Sequence, residues 1–475
     1  MRYVSTRGTA PTLGFDDVLL AGLARDGGLY VPGEWPAFTV AEIRDWQRLD
    51  YADVAERVIA PYVSGSVVED DLPRLIRESC ASFRHAAVTP LVQLDADLWI
   101  LELFHGPTLA FKDVALQLLG RLFDAVLTRR GERITIVGAT SGDTGSAAIE
   151  ACRDREAVDI VILHPLGRTS EVQRRQMTTV DSGNVANVAI RGTFDDCQDL
   201  IKAMFADDAF RDRLQLSAVN SINWARIMAQ IAYYAYAATR LGAPDREVAF
   251  AVPTGNFGNI FAAYAARRMG VPVRRLVIGS NANDILTRFF EADDMSLRGV
   301  VPTLSPSMDI QVSSNFERLL FELHDRNGPA TAEAISDLRT KGKLSVGANR
   351  LASARSLFAA ASFDDEETLE GIRRWYRASG IVLDPHTAVG ALAARKALAP
   401  DGDPVVVAAT AHPAKFPDAV ERAIGHRPEQ PARLADVMSR EERYTALDND
   451  LAAVQRFVEA HSRAVHATQH PAGAS

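Results

Sequence analysis

The sequence predicts an α/β fold with open, mostly parallel sheets, and three observations carry that expectation. Short apolar runs recur from Trp99 onward, at Trp99–Phe104, Arg133–Val137, Asp159–Leu163, Val185–Ile190, Glu247–Val252, Arg275–Ile278 and Pro404–Ala409. Several lack polar alternation, as strands covered by helices on both faces require. Longer helix-compatible stretches separate the runs, and strand–helix alternation is the pattern of a parallel sheet. The chain has 475 residues, 47% hydrophobic and 24% charged, which is material for two or three domains at roughly 150 residues each.

Taken in order, residues 1–96 read as an N-terminal subdomain. The stretch Gly27-Gly28-Leu29-Tyr30-Val31-Pro32-Gly33 punctuates it, and helix-like segments follow near Tyr51–Val63 and Asp70–Ser82. A core is expected over 97–430. Within it, about 133–216 reads as a mobile α/β subdomain, and about 287–372, mostly charged and helix-compatible without a convincing buried strand, as a helical insertion. Residues 431–475 read as a C-terminal helical segment and tail, since the last dozen have little to bury.

Composition excludes several classes of function. Lys plus Arg number 52 against 61 Asp plus Glu, a formal charge of −9, which argues against a nucleic-acid partner held by phosphate neutralisation. Cys80, Cys152 and Cys197 are the three cysteines and form no CxxC pair, so neither a disulfide framework nor a cysteine-rich zinc site is expected. The N-terminus lacks a continuous apolar core of the signal-peptide kind, and no run approaches the roughly 18 apolar residues of a membrane span. The expectation is a cytoplasmic protein with no membrane partner and no metal.

Four clusters stand at or just beyond the C-terminal ends of predicted strands, the edge where open α/β sheets bind ligands. The first, Phe104-His105-Gly106-Pro107-Thr108-Leu109-Ala110-Phe111-Lys112-Asp113, leads into an apolar helix pattern and puts Lys112 near a helix start. The positive end of the helix dipole disfavours an ammonium there, and a lysine kept partly neutral can form a Schiff base; the plain alternative is a solvated surface lysine. The second, Gly138-Ala139-Thr140-Ser141-Gly142-Asp143-Thr144-Gly145, offers amides and hydroxyls to a carboxylate, or is an ordinary capped turn. The third, Pro253-Thr254-Gly255-Asn256-Phe257-Gly258-Asn259, exposes successive amides suited to a phosphate, or is a tight turn. In the fourth, Thr410-Ala411-His412-Pro413-Ala414-Lys415-Phe416, the Thr410 hydroxyl can bond a ring nitrogen without supplying charge, or can simply bond backbone. His412, with no partner at metal-ligand spacing, reads as structural.

In this order the four segments resemble the threonine synthase family, pyridoxal-phosphate enzymes of fold type II related to the tryptophan synthase β chain. Further segments carry the likeness: Asn220-Ser221-Ile222-Asn223-Trp224-Ala225-Arg226, Ser305-Pro306-Ser307-Met308-Asp309-Ile310, Ser313-Ser314-Asn315-Phe316-Glu317-Arg318 and Leu383-Asp384-Pro385-His386-Thr387-Ala388-Val389-Gly390. The resemblance covers most of the chain. It implies pyridoxal 5'-phosphate as cofactor, Lys112 as its Schiff-base lysine, Gly255, Asn256, Phe257, Gly258 and Asn259 as the cofactor-phosphate loop, and Thr410 as partner of the pyridine nitrogen. Thr140, Ser141, Gly142, Asp143 and Thr144 correspond to the loop that receives the substrate carboxylate. Many fold type II enzymes carry Asn where Asp143 stands, so a carboxylate there has to be protonated, turned away or assisted by a neighbour. Ser221, Asn223, Arg226, Asn315 and Arg318 are the candidates for the substrate phosphate.

The implied activity is that of a carbon–oxygen lyase acting on phosphate, converting O-phospho-L-homoserine and water to L-threonine and phosphate, in a monomer or homodimer. Two other readings share the motifs. One is another fold type II enzyme, such as a threonine or serine dehydratase or a cysteine-forming β-replacement enzyme. The other is an inactive homologue that only binds ligands.

Overall fold

The computed structural model describes residues 1–140, 142–218, 221–398 and 402–464. Among them, thirteen strands occur: β1 (Tyr3–Ser5), β2 (Tyr30–Pro32), β3 (Leu91–Gln93), β4 (Leu98–Glu102), β5 (Ile134–Ala139), β6 (Val158–Pro165), β7 (Val185–Arg191), β8 (Leu216–Ser217), β9 (Val248–Pro253), β10 (Val273–Ser280), β11 (Phe358–Ser362), β12 (Val405–Ala409) and β13 (Thr445–Asp448). All seven apolar runs read from the sequence are strands. The chain divides into two compact units, one of Met1–Phe111 with Ser221–Glu429, the other of Lys112–Asn220 with Gln430–Ser475.

The first unit holds a six-stranded sheet ordered β11-β10-β9-β12-β4-β3. Every neighbouring pair is parallel except β3 with β4, and β1 and β2 form a separate antiparallel pair. The helix Trp224–Arg240 is buried from Trp224 through Thr239, as its apolar residues on every side require; it packs against helices Tyr51–Val63 and Gly258–Arg268. The helix Pro385–Ala397 lies on the sheet because Gly390 has no side chain: a Cβ there would stand 2.9 Å from Val407 and 3.1 Å from Pro253.

The second unit has an all-parallel sheet ordered β13-β7-β6-β5-β8. Its core joins Val137, Val161, Leu163, Val188 and Ile190 to Leu200, Met204, Val454 and Val458. Helices Lys112–Arg130 and Asp143–Cys152 approach closely at Gly120, where a Cβ would fall only 2.2 Å from the Ala151 carbonyl oxygen.

Two expectations needed correction. Residues 287–372, read as lacking a buried strand, contain β11, Phe-Ala-Ala-Ala-Ser, paired in parallel with β10. Its alanines favour helix locally, but pairing with an existing sheet edge overrides that weak preference. The C-terminal segment, read as helical, also contributes β13 to the second sheet. It is a short, largely polar edge strand with no apolar run to announce it.

The Gly120–Ala151 contact is testable. Gly120→Val should lower the free energy of unfolding by about 1–3 kcal/mol through overpacking against backbone, read as a reduced urea midpoint at unchanged slope.

Candidate active site

In the second unit Lys112 is the first residue of helix Lys112–Arg130. Its side chain is 11% exposed, and Nζ stands 3.6 Å from Oδ2 of Asp143, itself the buried first residue of helix Asp143–Cys152. The other oxygen, Oδ1, accepts a hydrogen bond from Gln173 Nε2 at 2.9 Å. The sequence-level difficulty of a carboxylate at this position is thus met by neighbours, a cation on one oxygen and an amide donor on the other. Thr140 shapes the loop between: its Oγ1 accepts from Gly142 N at 3.0 Å and Gly145 N at 3.1 Å. Thr144 is half-buried one position along. Ser141 lies outside the described residues.

In the first unit, Gly255 to Asn259 follow β9 and lead into helix Gly258–Arg268. Phe257 holds φ at +62°, a left-handed conformation that non-glycine residues rarely adopt. The loop is held in that shape from outside. Ser313 Oγ donates to Gly255 O at 2.7 Å, and the Asn315 backbone N–H and side-chain Nδ2 both donate to Asn256 O at 3.0 Å. A Cβ on Gly255 would come 2.7 Å from the Ser307 carbonyl oxygen, so only glycine fits. No side chain caps the helix. Asn259 Oδ1 accepts from Tyr233 and Tyr234, while its buried Nδ2 has no partner among the described residues.

Thr410 follows β12 and is buried. Its carbonyl accepts from Phe111 N at 2.8 Å, and His412 N donates to Leu109 O at 3.0 Å, so the residues just before Lys112 are laced to the strand end that carries Thr410. Lys415, a buried lysine, donates from Nζ to Thr108 O at 2.8 Å. His412 is structural: its Nδ1 accepts from Ala414 N at 3.1 Å, and burial, reinforced by nearby His105, holds its pKa down at about 4.

The five phosphate candidates separate. Arg318 is fully buried, its guanidinium donating to Tyr30 O, Ile222 O and Asn315 Oδ1; these bonds latch the scaffold. Asn315 is engaged with Ser221 O, Asn256 O and Arg318. Asn223 caps helix Trp224–Arg240 and donates to Leu19 O at 2.8 Å. Ser221 Oγ lies 3.3 Å from Ser314 Oγ. Arg226 differs: it is 3% exposed, yet Nε and one terminal nitrogen have no partner among the described residues, and burial lowers its pKa to about 10. A buried guanidinium with open donors is chemically suited to an anion.

Residues 2–80 match the family model for the threonine synthase N terminus, 83–341 that for pyridoxal-phosphate dependent enzymes, and 387–458 that for the threonine synthase C-terminal region. Threonine synthase of Pseudomonas aeruginosa is 59% identical over 462 residues, covering 97% of this chain and 98% of that protein. The chain belongs to the threonine synthase family. Threonine synthase of Saccharomyces cerevisiae is 44% identical over 89% of each chain. A crystal structure of pyridoxal-phosphate-bound threonine synthase from Brucella melitensis superposes with a TM-score of 0.96 at 55% identity, covering 98% of this chain and 100% of that one.

Pyridoxal phosphate is therefore the cofactor, and the residues present fit it. An uncapped helix N-terminus behind a glycine-only turn suits a phosphate, and a half-buried lysine beside a carboxylate suits a Schiff base. Neither Gln173 nor Lys415 carries a local signal of a role in the sequence. Ser170-Glu171-Val172-Gln173 reads as a helix capping box, which hides the other use of the glutamine; Lys415 looks like any lysine after a strand.

Two outcomes check these assignments. Arg318→Met should destabilise the protein by about 3 kcal/mol or more, because it leaves buried carbonyls without donors, with the loss seen in urea denaturation. Between pH 6.5 and 4 the unfolded state binds the His412 proton and the folded state does not, so stability falls as pH drops through that window. His412→Asn, which keeps a capping acceptor, should flatten the fall by on the order of 2 kcal/mol in unfolding measured across it.

Proposed function

We propose that this chain converts O-phospho-L-homoserine and water to L-threonine and phosphate. The observation that carries the reading is the presence in one unit of two anion-receiving places: the uncapped glycine turn Gly255–Asn259 and the buried Arg226 with open donors. A cofactor with one phosphate and a substrate with another need both, whereas a dehydratase acting on serine or threonine needs one.

Bound pyridoxal phosphate supplies an electron sink that stabilises negative charge at the substrate carbons. Lys112 would hold the cofactor through Nζ, and as a free amine it would take the Cα proton at that same nitrogen. Asp143 at 3.6 Å favours the ammonium that results. The loop Thr140–Thr144 receives the substrate carboxylate, with Gly142 and Gly145 kept in place by the Thr140 hydroxyl. Thr410 offers a neutral hydroxyl to the pyridine nitrogen. Arg226, with Ser221 beside it in sequence, binds the phosphate that leaves Cγ. Overall the Cγ–O bond breaks, Cγ becomes a methyl group, and the hydroxyl of water arrives at Cβ.

Purified protein should release threonine and inorganic phosphate in equal amounts from phosphohomoserine, and Lys112→Ala should release neither. Phosphate without threonine, or turnover of serine and threonine alone, would sink the assignment. Arg226→Leu should raise KM by about tenfold or more, the scale of a lost hydrogen bond between charged partners, in steady-state assays.

A further inference from the structure

We propose that Gln173 is a positioning residue for the reaction: its carboxamide fixes Asp143 in the orientation that addresses Lys112. The inference rests on the reading of Lys112 as the cofactor-bearing lysine. Four observations, all within the second unit, converge on it.

Gln173 is buried and donates from Nε2 to Asp143 Oδ1 at 2.9 Å, while Oδ2 of the same carboxylate stands 3.6 Å from Lys112 Nζ. One end of the carboxylate is held, and the other faces the amine. The direction of the amide is also fixed, because Ser170 Oγ donates to Gln173 Oε1 at 3.0 Å, leaving Nε2 to point at Asp143. A sequence Ser-x-x-Gln at a helix start ordinarily closes a capping box, with the glutamine side chain returning to the cap residue's backbone N–H. Ser170 does cap helix Glu171–Thr178 by accepting from Gln173 N, but the glutamine carboxamide is turned to Asp143 instead. Finally, Gly142 clears the way: a Cβ there would lie 2.6–2.7 Å from three atoms of the Gln173 carboxamide. Its backbone is extended, so a Cβ there would be met by displacing the flexible carboxamide, and glycine is what leaves the carboxamide in place against Asp143.

The physical effect is definite. An amide N–H donated to a carboxylate favours the ionised form and removes its rotational freedom. Asp143 held in this way supplies a fixed negative charge next to the nitrogen that must gain and lose a proton. The charged or titratable groups on elements packed nearby are Lys112 and Asp113 on helix Lys112–Arg130, His164 at the end of β6, and Arg174 and Arg175, which pair with Glu442 and Glu171.

The test uses the cofactor-loaded full chain with Gln173→Leu and Gln173→Glu, and Lys112→Ala as control. Absorbance of the bound cofactor is followed against pH, alongside kcat and KM, with thermal melting to confirm folding. In Gln173→Leu the pH midpoint of the cofactor band should move down, because the proton on the Lys112 nitrogen loses part of its counter-charge. There kcat should fall about tenfold or more while KM changes less than about threefold. In Gln173→Glu a protonated glutamic acid can donate as the amide does, so kcat should recover toward acid pH and fall as pH rises, relative to the unaltered chain. A Gln173→Leu protein with an unshifted band and unchanged kcat overturns the inference. So does a Gln173→Glu protein whose pH profile parallels the unaltered chain. If the unaltered chain shows no band that depends on Lys112, the reading of Lys112 fails instead, and the two failures are told apart.

Discussion

A lysine placed at the first position of a helix and largely removed from water is opposed twice, by desolvation of its charge and by the positive end of the helix dipole. The 3.6 Å approach of Asp143 to Lys112 answers both terms. The carboxylate is itself at the start of a helix, where the same dipole favours a negative charge. Opposite charges at two helix starts thus find opposite local conditions. The same two helices pack closely where Gly120, midway along the first, meets Ala151, near the C-terminal end of the second.

The first unit solves a different problem, holding a strained loop in one shape. Phe257 in a left-handed conformation costs on the order of 1–3 kcal/mol, and its ring packs edge-on against Phe316 at 5.2 Å. Ser313 and Asn315 bind the carbonyls of Gly255 and Asn256, which leaves the loop's amides turned away from those partners. Arg318 then binds Asn315 and reaches back to Tyr30 and Ile222. A charge that looked suited to a substrate instead rivets the loop Gly255–Asn259 through Asn315. Arg226, on a helix buried all round, is the guanidinium left with donors to offer.

Much of this was legible in the residues. Continuous apolar runs marked β5, β6, β7, β9 and β10, the longest parallel strands, since burial on both sheet faces leaves a strong local trace. The lysine segment, the threonine-rich loop and the glycine-asparagine turn each fell at a strand end, and with their neighbours they carried the family resemblance. What stayed hidden depends on partners distant in the chain. The alanines of Phe358–Ser362 gain strand structure only from an edge that β10 provides, and Thr445–Asp448 is a strand only beside β7. Arg226 and Arg318 are the same residue type in similar motifs, and their different roles follow from whether carbonyl groups from Tyr30 and Ile222 happen to surround them. Gln173 was hidden by ambiguity of another kind, because a capping glutamine and one that reaches across to a carboxylate have the same spacing.

The parallel pairing of β13 with β7 joins residues separated by 257 positions, as the Arg191–Asp448 ion pair marks. During synthesis the ribosome therefore delivers β5, β6 and β7 long before the strand that completes them, and the outer edge of β7 waits with unpaired backbone groups while the whole of the intervening chain emerges. Such an edge invites pairing with other nascent chains.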